Sequence, residues 1–173
     1  MWVFDATPLI YLAKVERIGL VRHLDDSRVI PDRVYAEVVE TGLEDGHTDA
    51  RRIERAVDDE LFEVLTVEDS TLTSRLRTNS RLSDADIAVL TCAATHDGIA
   101  VMDETYGRDV ATTEGIRTRG TAYLVLLLAS RGVLDRDEAR AVIDAMIDEG
   151  WYCSPAVYKT IIRRLDSITG GSD

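Results

Sequence analysis

The sequence predicts an α/β fold: a three-layer α/β/α sandwich whose central parallel sheet has four or five strands, with further helices toward the C-terminus. Three observations predict it. Short apolar runs at Trp2-Val3-Phe4, Val29-Ile30-Pro31, Phe62-Glu63-Val64-Leu65 and Ile99-Ala100-Val101-Met102 alternate with segments of helical period. Capping residues recur just ahead of those segments. The chain has 173 residues and is 45% hydrophobic, which suits one domain with a proper core. That domain is expected over residues 1–168, with its core over about 1–130, a helical extension over about 131–168 and a frayed tail at 169–173.

The elements follow in order. Strand 1 ends at Asp5. Thr7 is expected to cap a helix with Pro8 in its first turn, where a missing N–H costs nothing. Glu16 to Leu24 reads as a short helix. After Pro31, Asp32 caps a helix carrying Val34, Ala36, Val38 and Val39, and Gly42 is expected to stop it. Thr48 to Asp59 is polar and reads as an exposed helical arm. Phe62 to Leu65 alternates like a strand. Ser70 to Leu82 should be a helix leading into a loop. Ser83 caps the helix Asp84 to His96, which Gly98 ends. Ile99 to Met102 is the next strand. A helix from Tyr106, an edge strand at Gly115 to Thr118, an apolar helix over 122–131 and two amphipathic helices, Asp135 to Glu149 and Ser154 to Leu165, complete the chain.

Composition narrows the function classes. The first strand begins at residue 2, which leaves no room for a signal peptide. The run Thr121 to Ser130 is too short to cross a bilayer. Cys92 and Cys153 lack CxxC spacing and read as small core residues in a reducing, cytoplasmic compartment. Net charge is −12, with 20 Asp and 12 Glu against 18 Arg and two lysines, Lys14 and Lys159. Such a surface fits a halophile: at 1 M salt the Debye length is about 3 Å and self-repulsion is screened. Ordinary acidic solubility with a codon bias toward Arg also accounts for it. Either way, nucleic acid must bind through a local patch.

Acidic residues carry the chemistry. Asp5 and Asp103 end apolar strands, and carboxylates there point into the crevice where open α/β sheets bind ligands. A desolvated acid needs a cation or backbone donors; capping the first helix is the plainer role for Asp5. Glu37 sits mid-helix at the border of the apolar face and is either a rim residue or a ligand. Asp84 and Asp86 follow Ser83, where acids complement the helix dipole without any metal. If one enters the cleft, Asp86 is favoured, since it directly precedes the apolar Ile87-Ala88-Val89-Leu90, with Asp84 second. Glu104 faces either the site or solvent. Hard oxygens converging on one crevice imply Mg²⁺ or Mn²⁺, metals suited to cutting a phosphodiester.

Basic residues offer a phosphate seat. Arg75, Arg77 and Arg81 lie between Asp69 and Asp84 with no acid among them, and read as a phosphate-binding strip or as a solvated helix face. Arg108 could meet a phosphate or clamp a neighbouring acid. His23, His47 and His96 share no ligand spacing, and no phosphate-loop, dinucleotide or nucleophile-elbow motif occurs.

On these residues the chain resembles the PIN domain family, small metal-dependent ribonucleases that include VapC-like toxins. Asp5-Ala-Thr-Pro-Leu-Ile-Tyr-Leu12 is similar to the family's opening strand and helix. Glu37 stands as its second acid, Leu82 to Leu90 as the third-acid helix, and Asp103 to Ala111 as the fourth block. Gly115-Ile116, Gly120-Thr121, Arg131-Gly132-Val133-Leu134 and Gly150-Trp151-Tyr152 fit a prokaryotic subgroup described only as nucleic-acid-binding. The fourth block departs from the usual Asp-Asp and reads Asp103-Glu104. In the third, the subgroup often carries Glu.

The resemblance implies a Mg²⁺- or Mn²⁺-dependent endoribonuclease. Asp5, Glu37, Asp86 and Asp103 would be catalytic, with Asp84 and Glu104 as further metal ligands. Thr7, Arg75, Arg77, Arg81 and Arg108 would contact RNA. It also implies a toxin held by an antitoxin, and a homodimer. The alternatives are a non-catalytic RNA- or protein-binding module and a nuclease that processes ribosomal RNA.

Overall fold

The computed structural model describes residues 1–169; the expected tail lies beyond them from residue 170. Five parallel strands form the sheet: β1 (Trp2–Phe4), β2 (Arg28–Pro31), β3 (Glu63–Leu65), β4 (Ile99–Val101) and β5 (Arg117–Arg119). Their order is β3-β2-β1-β4-β5. The chain therefore builds outward from β1 in one direction and then reverses, placing β4 on the other side of β1. Trp2 pairs with Arg28 on one flank and with Ile99 on the other. The crevice beyond the carboxyl ends of β1 and β4 is the topological switch point, where such sheets bind ligands. Edge strand β5 carries Arg117 and Arg119, exposed charges that discourage pairing with another sheet.

Helices flank the sheet: α1 (Ala6–Lys14), α2 (Asp32–Tyr35), α3 (Gly42–Glu44), α4 (Thr48–Asp58), α5 (Thr71–Leu76), α6 (Asp84–Thr95), α7 (Thr105–Thr113), α8 (Thr121–Ser130), α9 (Arg136–Asp148) and α10 (Pro155–Thr169). Helix α6 lies across β1, β2 and β4, and α8, α9 and α10 pack on one another. Phe4, Leu9, Ile30, Leu90 and Met102 are fully buried. Each contributes about 1.5–3 kcal/mol. Phe4 and Phe62 meet edge to face at 5.2 Å. No helix among the described residues is long and apolar enough to cross a membrane.

Several local expectations are corrected. Helix α1 starts at Ala6, so Asp5 is its N-cap residue and Thr7 lies inside the first turn. Residues 18–23 form a 3₁₀ helix, preceded by Glu16 in the left-handed region. Pro31 takes the N-cap of α2, and Asp32 is the first helical residue. Gly42 does not stop that helix: a π-helical segment, Ala36–Thr41, joins α2 to α3, and the chain stays helical to Glu44. Gly42 serves close packing instead, since a Cβ there would stand 2.8 Å from the Ala50 Cβ on α4. Helix α4 is no exposed arm, because Ala50, Ile53 and Ala56 are buried and it packs on α1. Asp97, not Gly98, takes the left-handed backbone after α6.

Candidate functional site

Asp5 immediately follows the central strand, and its amide donates to the carbonyl of Val101 on β4 (3.0 Å). That bond fixes the chain just where it leaves the sheet, and the residue is 6% exposed. Its carboxyl pKa is pushed up to about 7. Burial is the main cause; the amide of Ala6 opposes it, and the carboxylates of Asp86, Glu37 and Asp103 add to it in that order. Three acids from three further elements thus bear on Asp5. Asp86 lies in the first turn of α6, Glu37 in the π-helical segment, and Asp103 two residues past β4. A π turn shifts the register of the side chains on its helix face, and such turns recur at functional sites. Asp84 and Glu104 are absent from the charges that raise Asp5.

Asp86 and Asp103 also have local partners. Asp86 Oδ2 accepts from the Ser83 amide and the Ser83 hydroxyl, both at 2.8 Å, completing a reciprocal cap on α6. Asp103 Oδ1 accepts from the Thr121 amide (2.7 Å), and its Oδ2 from Thr121 Oγ1 (2.6 Å) and Trp151 Nε1 (2.9 Å). Hydrogen bonds to a charged group contribute about 1.5–3 kcal/mol each, so Asp103 ties the start of α8 and the approach to α10 to the end of β4. Glu104 caps α7, accepting from the Gly107 amide at 2.6 Å. Asp84 is exposed and shares a small cleft with Arg33 and Arg77.

Two opposed observations bear on a metal. Among the described residues, no three side chains of the ligating types stand ready to hold an ion. Asp86 and Asp103 direct oxygens at the partners just named. Yet none of Asp5, Glu37, Asp86 and Asp103 has an ion-pair partner among the described residues. The group is an excess of hard oxygen charge that no ion pair among the described residues balances, which a divalent cation fits. A carboxylate has about four lone-pair sites, so Asp103 retains acceptor capacity beyond its three donors.

The expected phosphate contacts divide. Arg75 pairs with Glu114 (2.5 Å) and Arg77 forks onto Asp69 (both bonds 2.8 Å). The acid-free stretch therefore meets acids from elsewhere in the chain, although exposed pairs of this kind hold only weakly. Arg81 lies over the Tyr106 ring at 3.6 Å. Arg108 is exposed and lines a groove that begins at Asp103. Thr7 is half-buried in α1. Cys92 is buried, and its thiol is pushed up to about 11 by desolvation; Cys153 is half-buried and also raised, by burial and then by Asp103. Neither is a ready thiolate at neutral pH.

Thr121 and Trp151 are the partners that residue-by-residue reasoning left without a role. They had a signal, since both stand in the downstream motifs, but nothing in a linear pattern joins them to Asp103.

A family model described as a PIN domain (DUF3368) matches residues 1–167. The chain belongs to the PIN domain family. No curated protein matches it. PIN domains have a nuclease-like fold and typically use divalent metal ions, and the five-stranded parallel sheet flanked by helices is the architecture expected.

Proposed function

We propose that this PIN domain is a Mg²⁺- or Mn²⁺-dependent endoribonuclease working at the end of β1. The observation that carries the reading is Asp5: a buried acid at the sheet's switch point, pressed by Asp86, Glu37 and Asp103, with none of the four in an ion pair among the described residues. These four residues would hold the metal, with Asp84 and Glu104 farther out. Such a cation supplies neutralisation of the charge developing on a scissile phosphate and lowers the pKa of water. The chain's own part is electrostatic and geometric. Asp5 and Asp103 fix two oxygen donors to the ends of adjacent strands, and burial of Asp5 strengthens its interaction with any charge that enters. Arg108 would seat a phosphate beside Asp103, with Arg75, Arg77, Arg81 and Thr7 as outer contacts.

The setting we infer follows from charge and family. It is a cytoplasm of concentrated salt, with RNA as substrate, an antitoxin protein as regulator and a second copy of the chain as partner. Sizing by light scattering and a search for a small neighbouring reading frame test the last two.

One observation favours a second reading. Asp86 and Asp103 are engaged by Ser83, Thr121 and Trp151, as suits a module that binds RNA without cutting it. Single-turnover cleavage of structured RNA in Mn²⁺ separates the two. The nuclease reading expects wild type to cut and Asp5→Asn to lose at least about a hundredfold in rate, as loss of a transition-state contact does. No cutting by wild type would favour the binding module, and equal rates for both would remove Asp5 from the mechanism.

A further inference from the structure

A groove of about 790 Å³ runs from Asp103 along α8 and α10. That volume is in the range of ligand sites, roughly 300–1,000 Å³. Its charge runs against that of the chain. Arg108, Arg119 and Arg164 line it, and Asp103 is the one acid in its walls. Among the described residues none of these arginines lies within ion-pair distance of a carboxylate, although the protein carries a net charge of −12. Arg75 and Arg77, by contrast, are already paired.

The groove also presents aromatic faces. Tyr152 is 88% exposed, and it and Val157 are the exposed large hydrophobic residues of the described chain; both are in the groove wall. Tyr123 also lines the groove, with the Arg119 guanidinium over its ring at 4.9 Å, which holds that arginine against the wall. Gly120 leaves room for Asp103 and Arg108 at the end of the groove. A Cβ there would stand 2.9 Å from Asp103 Oδ1 and 3.5 Å from Arg108 Nη1.

We propose that this groove binds the unpaired RNA segment flanking the phosphate held at Asp5 and Asp103. Bases stack on Tyr152 and Tyr123, and phosphates meet Arg108, Arg119 and Arg164. Unpaired cations combined with aromatic faces are what a single strand requires, and stacking accepts any base. A duplex keeps its bases inside and gains only the charge contacts. An acidic peptide would satisfy the arginines but leave the tyrosines without a planar partner. The inference rests on the nuclease reading for the placement of the cut, not for the binding itself.

The test is fluorescence anisotropy of a labelled, unstructured 12-nucleotide RNA in EDTA, titrated over 0.05–0.3 M KCl, with circular dichroism as a check on folding. Tyr152→Ala should weaken binding about tenfold or more, and Tyr152→Phe, which keeps the ring, should stay within about threefold. Arg119→Gln and Arg164→Gln should each reduce the slope of log affinity against log salt by about one. A blunt duplex of equal length should bind more weakly than the single strand. The proposal is overturned if wild type fails to bind, if the three loss variants bind like wild type, or if polyglutamate displaces the RNA while Tyr152→Ala has no effect. Cleavage separates this outcome from the nuclease reading. Cutting by wild type with unchanged affinity in the groove variants sinks the groove alone; groove-dependent binding without cutting in Mn²⁺ sinks the nuclease alone.

Discussion

Asp5 stores electrostatic free energy in the metal-free protein. Its carboxyl has an ordinary pKa of 3.8 and is pushed up to about 7 by burial and by Asp86, Glu37 and Asp103. A raised pKa means that the folded protein holds the proton more tightly than the unfolded chain. The associated stability is fully present below about pH 4, falls as pH rises, and is gone above about pH 7, at up to about 1.4 kcal/mol per pH unit. In EDTA, urea unfolding of wild type should therefore show stability declining across this window. Asp5→Asn should flatten the decline and raise stability at pH 8 by about 1–3 kcal/mol, because an amide carries no charge to bury. A variant that melts lower than wild type at pH 8 would identify Asp5 as a structural cap for α1.

The helical run from Asp32 to Glu44 shows how packing sets an element's form. Its π segment carries Glu37, and its continuation depends on Gly42 lying against Ala50 of α4. Alanine is the better helix former by about 1 kcal/mol, but its Cβ cannot rotate away from the 2.8 Å contact. Overpacking costs about 1–3 kcal/mol, so Gly42→Ala should lower the melting temperature despite the gain in propensity. A higher melting temperature would show that α4 gives way. The sequence pattern located this helix and read its glycine as a stop, because a contact between residues 42 and 50 leaves no periodic trace. Ser83 and the helix it begins were plain, since an N-cap is a local signal, whereas the return bond from Asp86 was not read from the pattern. The same locality explains why Asp5 and Asp103 stood out at strand ends, whereas Trp151, 48 positions beyond Asp103, acquired a role only from their hydrogen bond. The groove beside Asp103 was illegible for a further reason: Arg119, Tyr123, Tyr152 and Arg164 are spread over strand, loop and helices.

Across the whole molecule, 32 acids face 20 basic residues. Like charges on a compact surface repel more strongly than on an unfolded chain, and salt screens that repulsion. Raising KCl from 0.1 to 2 M should raise the melting temperature, by about 2–4 °C for each kcal/mol of repulsion removed. A flat or falling curve would favour ordinary acidic solubility over adaptation to salt. The parallel sheet and its helices were legible as a class because strands and helices alternate in distinct periods. The order β3-β2-β1-β4-β5, which brings Asp5 and Asp103 to adjacent strand ends, emerges only from strand pairing.

The central claim is that a divalent cation replaces the proton on Asp5. At pH 6.5 that carboxyl is partly protonated, so cation binding must release protons. Calorimetric titration of Mn²⁺ in two buffers of different ionisation enthalpy measures this directly. We expect binding by wild type with net proton release, and in Asp5→Asn weaker binding with that release lost. Mn²⁺ binding of equal strength and equal proton release in both proteins would contradict the account.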